Sequence, residues 1–256
     1  MKTHVIFILA KNVFDEARHS RVLYIAFGFA VALILFSYFL GQVSLNQNIK
    51  VVKDLGMATI SLLGVFVAIY LSVNTLFQEV KNRTIYTVIS KPLRRFEVVI
   101  GKFLGMALVL LAVVALMSSI LYFVIGIQEF SIDLMLLPAL FLIFVEMLII
   151  GSFGLVFSSF SSPFLSGFFT FGIFLIGRVS YTLGQFGERS KSELFKVFAS
   201  GIQKVFDLAP FNLRTEVVHG LPVYREDVLF PVAYAVALIL VCLVISAMAF
   251  ERRDFK

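Results

Sequence analysis

Two sets of polar residues stand against an apolar chain. The first is an island, Glu79–Lys102, reading EVKNRTIYTVISKPLRRFEVVIGK, with six Lys/Arg and two Glu. The second is Glu146, followed by 31 uncharged residues before Arg178. A carboxylate inside a membrane is costly and is by default a functional candidate. It can pair with a cation, carry a proton or hold a cargo group. Arg178 is the nearest partner, at a depth that differs by about one helical turn, ~5 Å. An ion pair locking two spans and a cargo or proton site are both open. Asn74 shares a helix face with Gln78 at i, i+4, a pair suited to hydrogen bonding between helices. Metal and nucleophile chemistry have less to work with. His4, His19 and His219 are scattered without ligand spacing, and Cys242 lies within an apolar run. No G-x-x-x-x-G-K-[ST] occurs in the chain, so it lacks the phosphate-cradling loop of a P-loop ATPase.

The elements that position these residues are membrane spans. Of the 256 residues, 60% are hydrophobic, 30 are Phe and only 15% are charged, with a mean hydropathy of +0.98. A soluble domain carries about 25% charged residues. Val22–Ile49, Leu55–Gln78, Phe103–Gln128 and Val228–Phe250 each run at least 23 residues without a charge. A span needs about 20. The chain is therefore an all-α polytopic membrane protein. The run between Glu146 and Arg178 would overshoot a bilayer as one helix. Ser158–Pro163, SSFSSP, is a turn signal that divides it. Six spans result, at about 21–43, 55–78, 98–126, 133–157, 164–184 and 229–250.

Charge sets the orientation. Thirteen of the 22 Lys/Arg fall in the N-terminal segment, the island and the C-terminal tail ERRDFK. The positive-inside bias puts all three in the cytoplasm, with the Ser/Pro turn on the same side. The net charge of +6 is thereby used for topology, and no long basic surface remains to track nucleic acid. Residues 1–20 form a cytoplasmic interfacial helix, with Val5, Ile6, Leu9, Val13 and Ala17 near helical spacing. Residues 185–228, with six basic and six acidic side chains, lie on the other side. Leu194, Phe195, Phe198, Ile202, Val205 and Phe206 share one helical face there. A second short helix runs from the cap candidate Asn212 to His219–Gly220, before Pro222.

Within the cytoplasmic loop, 79–97, a helix leaving the second span can continue through Glu79–Ile89. Lys91 precedes Pro92, which biases it out of the helical region and ends the helix. Ile85, Val88 and Ile89 offer an apolar face beside Lys81 and Arg83. Arg94, Arg95 and Lys102 suit lipid headgroups by snorkelling. Gly101-x-x-x-Gly105 permits close helix approach.

This order of parts resembles the membrane subunits of type-2 ABC exporters, over essentially the whole chain. The sharpest match is Glu79…Arg83-Thr84…Ser90-Lys91-Pro92…Glu97…Gly101-Lys102, in which Arg83 replaces the usual glycine of a Gly-Thr pair. RTIYTVISKPLRRFEVVIGK is most similar to permeases associated with copper-enzyme maturation. The resemblance implies a permease that is not itself an enzyme, driven by a separate ABC ATPase that binds ATP and Mg. It implies ATPase-coupling contacts at Glu79, Arg83, Thr84, Ile85, Val88, Ile89, Lys91 and Pro92. A second, smaller contact falls at Ser158, Ser159, Ser161 and Ser162. Six spans are half the usual set, so a second permease copy is expected, as a homodimer or beside a sister permease. The setting is the cytoplasmic (inner) membrane, with both termini inside, lipid around the spans and a periplasmic partner possible at 185–228. No cofactor is expected in this chain. Two other function classes stay open on Glu146: an ion-coupled carrier and an intramembrane enzyme.

Overall fold

The computed structural model describes residues 2–43, 48–81, 95–129, 133–189 and 193–251. Every regular element among them is helical: α1 (Lys2–Arg18), α2 (Arg21–Val43), α3 (Asn48–Lys81), α4 (Arg95–Glu129), α5 (Leu136–Ser158), α6 (Pro163–Arg189), α7 (Glu193–Phe206), a 3-10 turn (Ala209–Phe211), α8 (Arg214–Val218) and α9 (Arg225–Glu251). Helices α3, α4, α5, α6 and α9 each hold a stretch long and apolar enough to cross a membrane. The pair Phe7–Arg18 and Leu23–Phe39, bent by 63°, makes a sixth candidate. The protein is a multi-pass, all-α membrane protein.

Helix α5 is the centre. Its residues are apolar all round and most are buried, including Leu136, Leu142, Met147, Ile149 and Ile150. A helix of that kind must be enclosed by others. It packs on α3 and α9, with α4 and α6 beside it. The α3–α5 approach depends on small residues. A Cβ on Gly154 would stand 1.9 Å from Ser72 Oγ, so only glycine lets these helices close to their observed spacing.

Pro163 opens α6, as the Ser/Pro break predicts; its fixed φ suits the first helical turn. Helix α6 continues to Arg189, beyond the expected end of the fifth span. The chain then reverses, and α7 runs back alongside α6. Gly184 faces Gln203, and Gly177 faces Phe206 and Leu208, an antiparallel register. The Leu208 amide donates to the Gly177 carbonyl at 3.3 Å, and the Phe206 ring lies 5.9 Å from Phe153 of α5. The segment between the last two spans thus dips along the fifth span to the level of Gly177. Leu208, Phe211, Leu213 and Val217 are buried as it returns. Leu213, rather than Asn212, holds the position before α8, and it makes no side-chain cap. Gly220 at φ +67° turns the chain away from the helix end, a conformation that L side chains resist.

Helix α1 buries Ala10, Val13 and Ala17, while Lys11 and Arg18 face outward. Its partner is α4. A Cβ on Gly105 would lie 2.6 Å from Val13 Cβ and 2.7 Å from the Ala10 carbonyl oxygen. Gly105 is therefore the seat of α1 on α4.

Candidate functional site

Three helices converge on one polar cluster. Glu146 of α5 is 1% exposed, and Ser61 of α3 and Arg178 of α6 reach it. The Arg178 Nη2 donates to Glu146 Oε2 at 2.9 Å and to Ser61 Oγ at 2.6 Å. The Ser61 hydroxyl donates to the same carboxylate oxygen at 3.4 Å. The guanidinium carbon lies 5.6 Å from the centre of the Phe174 ring, one turn back on α6. Glu146 Oε1 is buried and has no hydrogen-bond partner among the described residues. Near the tip of the dipping segment, Asp207 accepts from Ser180 at 3.2 Å and from the Ala209 amide at 3.0 Å. The depth estimate for Glu146 and Arg178 placed them within reach, and they touch. Ser61 was not foreseen, because a serine in an apolar span carries no pattern that distinguishes a ligand from an ordinary helix residue.

Asn74 is not part of this cluster. It lies about 20 Å along α3 from Ser61, at 1.5 Å per residue. There it lines a cavity of about 340 Å³ with Glu16, His19, Arg21 and Tyr70, at the elbow between α1 and α2. The Ser20 and Tyr70 hydroxyls meet across that elbow at 3.0 Å.

The turn between α5 and α6 splits the four candidate serines. Ser158 is buried and donates to the Ser72 carbonyl at 3.4 Å. Ser159 is fully buried, donates to the Leu155 carbonyl at 2.8 Å and lies 2.8 Å from the Ser246 hydroxyl of α9. Ser161 is half-buried, and Ser162 is exposed beside Phe160. Only the second half of the turn is accessible, since the first half is a packing joint between α3, α5 and α9.

The base of the island is also tied down. Helix α3 runs on to Lys81, which puts Glu79 in its last turn. Arg83, Thr84, Ile85, Val88, Ile89, Lys91 and Pro92 lie outside the described residues, as does Arg94. Lys102, expected to snorkel toward lipid, is instead 5% exposed and donates through Nζ to the Thr75 carbonyl. A carbonyl oxygen has two lone pairs, so that of Thr75 can accept from Lys102 besides its helical donor, and a buried ammonium must find an acceptor.

At the opposite end, Lys53 of α3 pairs with Asp133 at 2.7 Å, and Arg214 of α8 lies 3.7 Å from Asp54. Burial pushes the Asp133 carboxyl up, but the Lys53 hydrogen bond, the Met135 amide and the Lys53 charge together hold it below the usual carboxylate range.

A family profile described as ABC-2 family transporter protein matches residues 8–255. The chain belongs to the ABC-2 transporter family. A search of curated proteins found no match. Membership makes the helices above the membrane subunit of an ABC transporter, and the family implies pairing with an ABC ATPase. The match runs from the middle of α1, through the island and the buried cluster, to the residue before the last.

Proposed function

We propose that this ABC-2 chain is the permease of an ATP-driven exporter that works as a homodimer with two ATPase subunits. The observation that carries the proposal is the family match over residues 8–255. The lack of a P-loop in these 256 residues supports a reading in which a partner ATPase binds ATP and Mg. Within the family, the likeness of the island to permeases of copper-enzyme maturation supports that subgroup as our reading. A variant without cargo, in which residues 185–228 signal to a periplasmic partner, uses the same machinery.

In this mechanism the motor grips the island at the cytoplasmic face of the inner membrane, through Glu79, Arg83, Thr84, Ile85, Val88 and Ile89. Lys91-Pro92 ends that lever. Ser161 and Ser162 supply the smaller contact, with Ser158 and Ser159 stiffening the turn from inside. Movement of the island is passed on because its base is clamped. Lys102 holds α4 to α3 at Thr75, and Gly105 seats α1 on α4. The first span, joined to α1 at the elbow, is carried with them. Glu146–Arg178 acts as a lock between the fourth and fifth spans, with Arg178 donating to one carboxylate oxygen of Glu146 and to Ser61.

The test is purification of the tagged chain in mild detergent, with identification of what accompanies it. A stoichiometric ATPase is expected. Glu79→Ala with Arg83→Ala should lower ATPase co-purification or stimulation while membrane insertion stays normal. Reproducible absence of an ATPase, with transport surviving depletion of cellular ATP, would overturn the proposal.

A further inference from the structure

At the end of the bundle that holds the Lys53–Asp133 pair, a cavity of about 510 Å³ opens between the start of α3, the segment before α5 and the end of α8. Its polar lining includes Asn48, Lys50, Lys53, Asp133 and His219. That volume falls in the range of small-molecule sites, about 300–1,000 Å³. The charges do not cancel. Asp133 is the carboxylate of the lining, and it is engaged by Lys53 at 2.7 Å. Lys50 is exposed and has no ion-pair partner among the described residues. His219 donates through Nδ1 to the Thr215 carbonyl at 2.8 Å, which leaves Nε2 for a ligand and makes it a second donor when the ring is protonated. Lys53, 8% exposed, is held by Asp133, so this pair forms an ordered polar floor to the cavity.

We propose that this cavity binds an anionic phosphate group, held by Lys50 and His219 over the Lys53–Asp133 pair. Ammonium groups suit phosphate as compact point charges, and a half-buried pocket strengthens them relative to bulk water. The ligand would bridge α3 and the Val217–Gly220 end of the dipping segment. Arg214 and Asp54 already span the same two elements at 3.7 Å, so occupancy would fasten the segment to the second span at a second point. The phosphate can come from a phospholipid headgroup or from a free anion. The site is independent of ATP coupling, and it stands or falls without the proposed exporter.

The test uses the full chain in nanodiscs of phosphatidylcholine, with or without phosphatidylglycerol. Native mass spectrometry reads retained lipid, and thermal unfolding reads stabilisation by inorganic phosphate. The variants are Lys50→Gln with His219→Gln, and Lys50→Arg as the charge-keeping control. Retained phosphatidylglycerol in the wild type, reduced about tenfold in the double variant, supports the site with a lipid headgroup as ligand. Saturable stabilisation by phosphate without lipid retention, lost in the double variant and kept by Lys50→Arg, supports it with a free anion. If the double variant does not fold, Lys50→Gln alone should still weaken binding several-fold. Binding that survives both substitutions, or no binding of either probe by the wild type, overturns the proposal.

Discussion

Arg178 Nη2 sits 2.9 Å from Glu146 Oε2, joining the fifth span to the fourth across an apolar interior. The two partners are not equivalent. The Glu146 side chain is 1% exposed and that of Arg178 is 25% exposed, so the pair has one desolvated member and one that keeps partial access. Removing the partner of a buried charge leaves that charge uncompensated.

Arg178→Gln is therefore expected to destabilise more than Glu146→Gln. The first leaves a carboxylate with Ser61 alone, and breaking a buried pair this way costs about 3–5 kcal/mol. The second leaves an arginine that still has Ser61 and the Phe174 ring. The double variant should recover part of the loss. Thermal midpoints of the three proteins in one detergent check the order; a loss in the double variant equal to the sum of the single losses would show that the charges are independent.

Gly105→Ala should cost about 1–3 kcal/mol, as overpacking does, because the new Cβ meets the Ala10 backbone as well as Val13. Gly126→Ala on the same helix meets nothing within 4 Å and should be neutral or slightly stabilising. Melting curves of the two variants give the comparison. Loss of α1 docking in Gly105→Ala would show as faster proteolysis near Arg18.

Lys102→Met removes the clamp at Thr75 while keeping the side chain's bulk. ATPase stimulation by the permease should fall severalfold, with normal insertion and a modest loss of stability, about 0.5–1.5 kcal/mol for one hydrogen bond, because the Thr75 carbonyl keeps its helical donor. Stimulation equal to the wild type would mean that force does not pass through this joint.

The serine turn separates packing from contact. Ser159→Val should lower the melting temperature modestly, since it removes the hydroxyl that joins Ser246 to Leu155 in a sealed joint, while Ser246 keeps the Leu155 carbonyl as acceptor at 3.3 Å. Ser162→Ala should leave stability within about 0.5 kcal/mol of the wild type, as exposed substitutions do. If the turn touches the motor, Ser161 and Ser162 substitutions reduce ATPase stimulation with no change in melting.

The Asp133 carboxyl is held below its ordinary value in the folded protein. A depressed carboxylate contributes stability above its unfolded pKa, about 3.9, and loses it as pH falls through the lower folded value. The stability gap between the wild type and Asp133→Asn should stay constant from neutral pH to about 5 and close only below about 4. A gap that closes near neutrality would assign the effect to another group.

Much of the fold was legible because a bilayer imposes strong rules on local sequence. Uncharged runs of fixed length marked the spans, Pro163 marked the break and opens α6, and two lone charges in apolar surroundings predicted each other. The apolar face of the segment after the fifth span showed a helix there, α7. Its direction was hidden, because an amphipathic face fits a membrane surface and a neighbouring helix equally well. The room left by Gly177 and Gly184 decided for the neighbour.

The sequence by itself determined the all-α multi-pass class and set Glu146 and Arg178 within reach of each other, since both follow from the cost of placing charge or bare backbone in hydrocarbon. Only the tertiary structure decided which polar groups serve packing. A lysine near a span end and serines in a turn look accessible from the chain alone. Lys102, Ser158 and Ser159 are buried because neighbouring helices cover them, and a buried donor takes whatever acceptor that packing brings.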